Sequence, residues 1–167
     1  MNRTRYAALL AACEARPRLR RGLLLVIRGL PWGMVLLYPP LVLRALAVWG
    51  AGAWPVLVFP AGTLLLVEGL RRLFPRPRPF ERWGLPPLVP HRGGGAFPSR
   101  HAASAAVIWA VSTAVFPAAA LPLALLVLAI AATRLVSGLH GPRDVLGGLL
   151  LGLAMGLSAC LLLPPLG

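Results

Sequence analysis

Five apolar runs, each near the length of a bilayer crossing, constrain this 167-residue chain more than any other feature. A membrane-crossing helix needs about 20 predominantly apolar residues. Runs of that kind cover Leu23–Val48, Trp54–Leu70, Ser99–Phe116, Leu121–Val136 and Asp144–Leu163. They predict an all-α integral membrane protein, a bundle of five to six transmembrane helices with one active-site face. Composition agrees: 58% of residues are hydrophobic and the mean hydropathy is +0.78, far above a soluble globular chain. Gly148, Gly152 and Gly156 put small residues one helical turn apart on the last run, the pattern of closely packed membrane helices.

Two segments depart from this pattern. Residues 1–21 read as a basic interfacial N-terminal segment, with a short apolar helix over Tyr6–Cys13 that lies on the membrane rather than crossing it. Arg16, Arg18, Arg20 and Arg21 interrupt it and no clean cleavage site follows, so it is not a good signal peptide. Residues 22–167 form a single transmembrane domain. Within it, about 71–100 is a loop holding seven arginines, seven prolines and the run Gly93–Gly95.

The chain has 17 arginines, no lysine and four acidic residues, for a formal charge of +13. Such a balance suits nucleic acid, anionic lipid or an anionic substrate. The arginines sit among membrane spans, which argues against nucleic acid. Cys13 and Cys160 lie far apart and show neither metal-ligand spacing nor a disulfide framework.

Three blocks carry the chemistry, all at one end of the expected helices. The first, Arg71 to Pro79, has arginines alternating with prolines. The prolines force an extended course, and splayed guanidinium groups suit phosphate oxygens. The second is Phe97-Pro98-Ser99-Arg100-His101. Ser99 reads as a helix N-cap, where free N–H groups and the positive helix end favour an anion, and His101 can act as a general acid. The third runs from Thr133-Arg134 to His140 and Asp144. Pro142 suits the first position of a helix, with Asp144 in its first turn. A carboxylate that close can accept the His140 Nδ1–H, which leaves Nε2 free as a nucleophile.

In order and inner spacing these blocks resemble the type 2 phosphatidic acid phosphatase superfamily, whose pattern is K-x6-R-P, P-S-G-H and S-R-x5-H-x3-D. The resemblance implies that Arg71, Arg78, Ser99 and Arg134 bind a phosphoryl group, with Arg100 as a further candidate. It implies that His101 protonates the leaving group and that His140, assisted by Asp144, becomes a phosphohistidine. Residues 22–167 would then be a phosphatase domain with its active-site loop at about 71–100. The implied activity is hydrolysis of a phosphate monoester or pyrophosphate on a membrane lipid: phosphatidate, phosphatidylglycerol phosphate or a polyprenyl pyrophosphate. No metal and no cofactor is expected. The partners are that lipid and the bilayer, with no nucleic acid, and the location is the cell (inner) membrane, multi-pass.

This chain departs from the pattern at three positions. Arg71 replaces Lys, Thr133 replaces Ser, and Arg100 replaces Gly, as in a subset of small bacterial members. Two other readings stay open: a phosphotransferase using the same intermediate, and a non-enzymatic protein whose arginines bind anionic lipid. Five spans put the N-terminal arginines and the loop on one side, cytoplasmic by the positive-inside rule. Six spans, as in outward-facing bacterial relatives, would reverse this.

Overall fold

The computed structural model describes residues 2–91 and 94–165; Arg92 and Gly93 of the loop, Met1, Leu166 and Gly167 lie outside them. The described residues form helices and connecting segments, with no strand among them. Helix α1 covers Arg3–Ala15, α2 Pro17–Trp49, α3 Trp54–Leu73, α4 Pro79–Trp83, α5 Arg100–Val115, α6 Ala120–Val136 and α7 Pro142–Leu161. Three continuous helical stretches are long and apolar enough to cross a membrane: Pro17–Leu73, Pro117–Val136 and Pro142–Leu161.

The first of these stretches is a hairpin. A 3₁₀ turn over Gly50–Ala53 divides α2 from α3. Gly50 takes φ +54° there, a conformation that costs glycine nothing. Prolines inside the two helices then create the ties that hold them. A proline has no N–H, so the carbonyl four residues earlier loses its helical partner, and in lipid that carbonyl needs another donor. Pro60 frees the Val56 carbonyl, which accepts from the Tyr38 hydroxyl on α2 at 2.7 Å. Pro31 frees the Ile27 carbonyl, which accepts from Arg134 Nη2 on α6.

Helix α5 sits at the centre, against α2, α3, α6 and α7. Its 16 residues span about 24 Å at 1.5 Å per residue, shorter than the expected crossing over Ser99–Phe116. Pro117 follows its end, and Phe116 before it leaves the helical region at φ −136°, ψ 78°. Its nearest neighbour is α7, and the glycine stripe is the reason. A Cβ on Gly148 would lie 2.5 Å from the Ser99 carbonyl oxygen, and one on Gly156 would lie 2.4 Å from the Ala110 Cβ. Backbone therefore meets backbone along the stripe, which fixes the start of α5 against the start of α7.

The N-terminal segment does more than rest on a surface. Arg16, extended before Pro17, ends α1, so the arginines at 18–21 belong to the first turns of α2. Tyr6 and Cys13 are buried with Phe80 of α4, Leu88 of the loop, Leu139 and Ile27. That cluster is a second small core, located under the loop rather than between the spans. At 13 residues, α1 is too short to be a sixth crossing, so the described residues form five longer helices, α2, α3, α5, α6 and α7.

Candidate active site

His140 lies between α6 and α7 and is only 4% exposed. Its Nδ1 is 2.8 Å from the Ala96 carbonyl oxygen, so Nδ1 carries the proton and donates it there. Nε2 is left with its lone pair, and Arg78 Nη1 approaches it at 3.3 Å. The same Nη1 donates to the Leu139 carbonyl at 3.0 Å. Burial first, and the Arg78 cation second, push the His140 imidazole down to about 3 from its ordinary 6.5, against the Ala96 bond, which raises it. His140 is therefore a neutral, desolvated imidazole with a defined tautomer.

The expected bond from His140 to Asp144 is not formed. Asp144 Oδ2 instead accepts from the Gly141 N–H at 2.7 Å. The reason is local geometry. Residues four apart face each other only when both are helical, and α7 begins at Pro142, so His140 lies outside it. Asp144, third in the helix, caps it by reaching back to Gly141. The Asp144 backbone carbonyl accepts the Ser99 N–H at 2.8 Å, which ties α7 to α5.

Arg78 is 2% exposed. Its backbone N–H donates to the Glu81 carboxylate at 2.8 Å, and its Nε has no partner. Burial pushes the guanidinium below its ordinary value, while Glu81 and Asp144 hold it up. Ser99 occupies the N-cap position of α5, but its hydroxyl does not cap the helix. The side chain is fully buried and Oγ is unpartnered. Arg71, at the end of α3, donates from Nε to the Pro98 carbonyl at 3.0 Å. Ser99 Oγ and Arg78 Nε are thus two buried polar atoms, each lacking a partner among the described residues, and Arg78 lies against the neutral imidazole. A tetrahedral anion is the kind of group that satisfies such donors together.

Arg134 has structural partners as well as a place on the cavity wall. Its Nε and Nη2 are held by Thr133 Oγ1, and Nη2 also reaches the Ile27 carbonyl. It lines the same cavity as Arg71, Arg78, His101 and His140, whereas Ser99 and Asp144 do not line it, and much of its donor capacity holds α2 to α6. His101 and Arg100, both exposed, lie along that cavity wall.

The cavity has a volume of about 990 Å³ and two unlike ends. Arg28, Arg71, Arg78, Arg100 and Arg134 line it together with His91, His101 and His140, and no acidic side chain does among the described residues. The remainder is an apolar slot between α2 and α3 with α5 behind it. Trp32, Val35, Leu57 and Leu64 line the slot and are also exposed on the outer surface, so it opens sideways on a face that in a membrane meets lipid.

Three further contributors stand outside the three motif blocks. The Ala96 carbonyl has no side-chain signature. Arg28, near the end of a span, suits snorkelling by its position, and it lines the cavity. His91, in the Gly-rich loop, fits either a solvated residue or a substrate contact by sequence, and it lines the cavity. Partial burial, and then Arg78, Arg71 and Arg100, hold its imidazole below the ordinary value.

These features define an all-helical membrane protein with a buried, neutral histidine facing an arginine-lined cavity. A comparison with protein families agrees: the model of the PAP2 superfamily matches residues 52–165, about two thirds of the chain. The chain belongs to the PAP2 superfamily, whose members are phosphatases, and it is a phosphoric ester hydrolase. Neither the curated proteins nor the solved structures contain a significant match.

Proposed function

We propose that this protein is a metal-independent lipid phosphatase that removes phosphate from a monoester or pyrophosphate of a membrane lipid through a phosphohistidine. The observation that carries the proposal is the state of His140, neutral, with Nδ1–H on the Ala96 carbonyl and the Nε2 lone pair directed into the cationic end of the cavity. Nε2 attacks phosphorus, a P–N bond forms, and the P–O bond to the lipid breaks. His101 gives its proton to the leaving oxygen. Water then attacks phosphorus, His101 takes the proton back, and the P–N bond breaks to release phosphate and neutral His140. Arg71, Arg78, Ser99 and a helix N-terminus stabilise the charge that grows on the equatorial oxygens. Asp144 contributes by fixing the first turn of α7 behind His140.

The lipid character rests on the slot. Its walls are apolar, it meets the phosphate pocket directly, and its lateral opening lets a tail remain in the bilayer. Five arginines lining a cavity with no acidic side chain among the described lining residues suit a group bearing two or more negative charges, which favours phosphate monoesters and diphosphates over diesters.

The test is phosphate release from phosphatidate, phosphatidylglycerol phosphate and polyprenyl pyrophosphate, with and without a chelator, by wild type and His140→Ala. Chelator-resistant release from at least one lipid, abolished in the variant, is expected. Release that needs a divalent cation, or only from water-soluble esters, would overturn it.

A further inference from the structure

We propose that Tyr6, on the N-terminal helix, is a positioning residue for catalysis: its hydroxyl clamps the segment presenting His140 to the loop beside it, making α1 a strap across the active site. The inference rests on His140 being the nucleophile. The family match begins at residue 52, so α1 lies wholly outside the matched region.

Tyr6 is fully buried. Its hydroxyl accepts the Leu88 N–H at 2.8 Å and shares its proton between the carbonyls of Pro86, at 3.1 Å, and Ser137, at 3.2 Å. One atom therefore joins the loop that leads to His91 with the linker that leads to His140. Burial holds the phenol above its ordinary value, so it stays a donor.

The linker is fixed at three successive carbonyls. Tyr6 takes Ser137, the Phe80 N–H takes Gly138 at 3.2 Å, and Arg78 takes Leu139. His140 follows immediately. Gly138 adopts φ +70°, and a Cβ there would lie 2.6 Å from the Tyr6 ring. The ring and the left-handed glycine thus fit only each other. If the hydroxyl is removed, the Ser137 carbonyl and the Leu88 N–H lose their shared partner. The linker then gains freedom at the residue two before Leu139, whose carbonyl shares Arg78 Nη1 with His140.

The test compares wild type, Tyr6→Phe and Leu9→Ala, with two readouts. Tyr6→Phe keeps the ring contacts with Trp83 and Gly138 and deletes only the hydroxyl. Leu9→Ala loosens the same helix without touching it. The first readout is kcat and KM for phosphate release at a temperature below all three melting points. The second, independent of turnover, is the rate at which diethyl pyrocarbonate modifies His140, read by mass spectrometry against His91 and His101.

For Tyr6→Phe, kcat is expected to fall about tenfold, as loss of one net hydrogen bond at the nucleophile would give, with KM within about threefold. His140 modification accelerates severalfold while Leu9→Ala stays near wild type in both readouts. Unchanged kcat with unchanged modification overturns the proposal. So does an equal loss in Leu9→Ala, since packing alone would then account for it. Faster modification in Tyr6→Phe, in a protein that releases phosphate from no lipid, would keep the clamp and overturn the phosphatase reading instead.

Discussion

Replacing Gly152 with alanine tests how closely the catalytic ends of α5 and α7 are held. A Cβ at that position would lie 2.1 Å from the Ala103 carbonyl oxygen and 2.9 Å from the Ala106 Cβ. Ordinary contact begins near 3.4 Å, so the two helices must separate by about 1.3 Å at this point. No side-chain rotation relieves the clash, because both neighbours are backbone or Cβ atoms. Overpacking of this kind costs about 1–3 kcal/mol. The effect also reaches the site, because the same helix pair carries the Ser99 N–H to Asp144 carbonyl bond at 2.8 Å. Ser99 and His101 ride on α5, whereas His140 is tied to the start of α7. A misplacement of about 1 Å can cost about 100-fold in rate. We expect Gly152→Ala to lose about 10- to 100-fold in kcat/KM and to melt earlier in detergent. Gly69→Ala, whose added methyl would meet nothing within 4 Å, serves as the matched control. Wild-type activity and melting in Gly152→Ala would show that the two backbones do not meet there.

The depressed His140 value has a definite sign. The folded state favours the neutral ring, so between pH 6.5 and about 3 the unfolded chain binds the extra proton; this residue's contribution to stability therefore falls as pH drops below 6.5. In ¹⁵N-histidine spectra His140 should remain neutral at pH 5, and titration near 6.5 would contradict its burial. Asp144→Asn keeps an oxygen able to accept from Gly141 and should retain most activity, while Asp144→Ala loses the cap and about 0.5–2 kcal/mol of stability. If both variants are equally dead with unchanged melting, Asp144 acts on the chemistry after all. Arg78→Lys cannot span both the Leu139 carbonyl and His140 with one ammonium, and we expect about a 10- to 100-fold loss in kcat/KM. Near-wild-type kinetics would mean that charge alone suffices at residue 78.

The helices and the cluster of site residues were legible because both are written in local patterns. Apolar runs mark α2, α3, α6 and α7, and the glycine stripe on α7 marks the helix contact that the structure realises against α5. The blocks from Arg71 to His140 bring Arg71, Arg78, Arg100, His101, Arg134 and His140 to the wall of one cavity. Partner choice was less visible. Four residues between His140 and Asp144 suggested a side-chain pair, but the helix begins at Pro142, and the imidazole turns to a backbone carbonyl 44 residues away in sequence. The resemblance implies a phosphate-binding role for Arg134, and nothing near it in sequence shows that Pro31, on another helix, supplies a freed carbonyl that also takes one of its donors. Tyr6 was read as part of an interfacial helix because nothing in a 13-residue amphipathic stretch reveals that it folds back over a loop 80 residues later.

The central claim is that His140 Nε2 bonds covalently to phosphorus. The direct measurement is a rapid quench of the enzyme with lipid labelled in its phosphate with ³²P, followed by alkaline digestion, which preserves phosphohistidine, and mapping of the label. We expect acid-labile label on the peptide carrying His140, present in wild type and absent in His140→Ala. Turnover in wild type with no trapped label on that peptide, or turnover that survives in His140→Ala, would contradict the account.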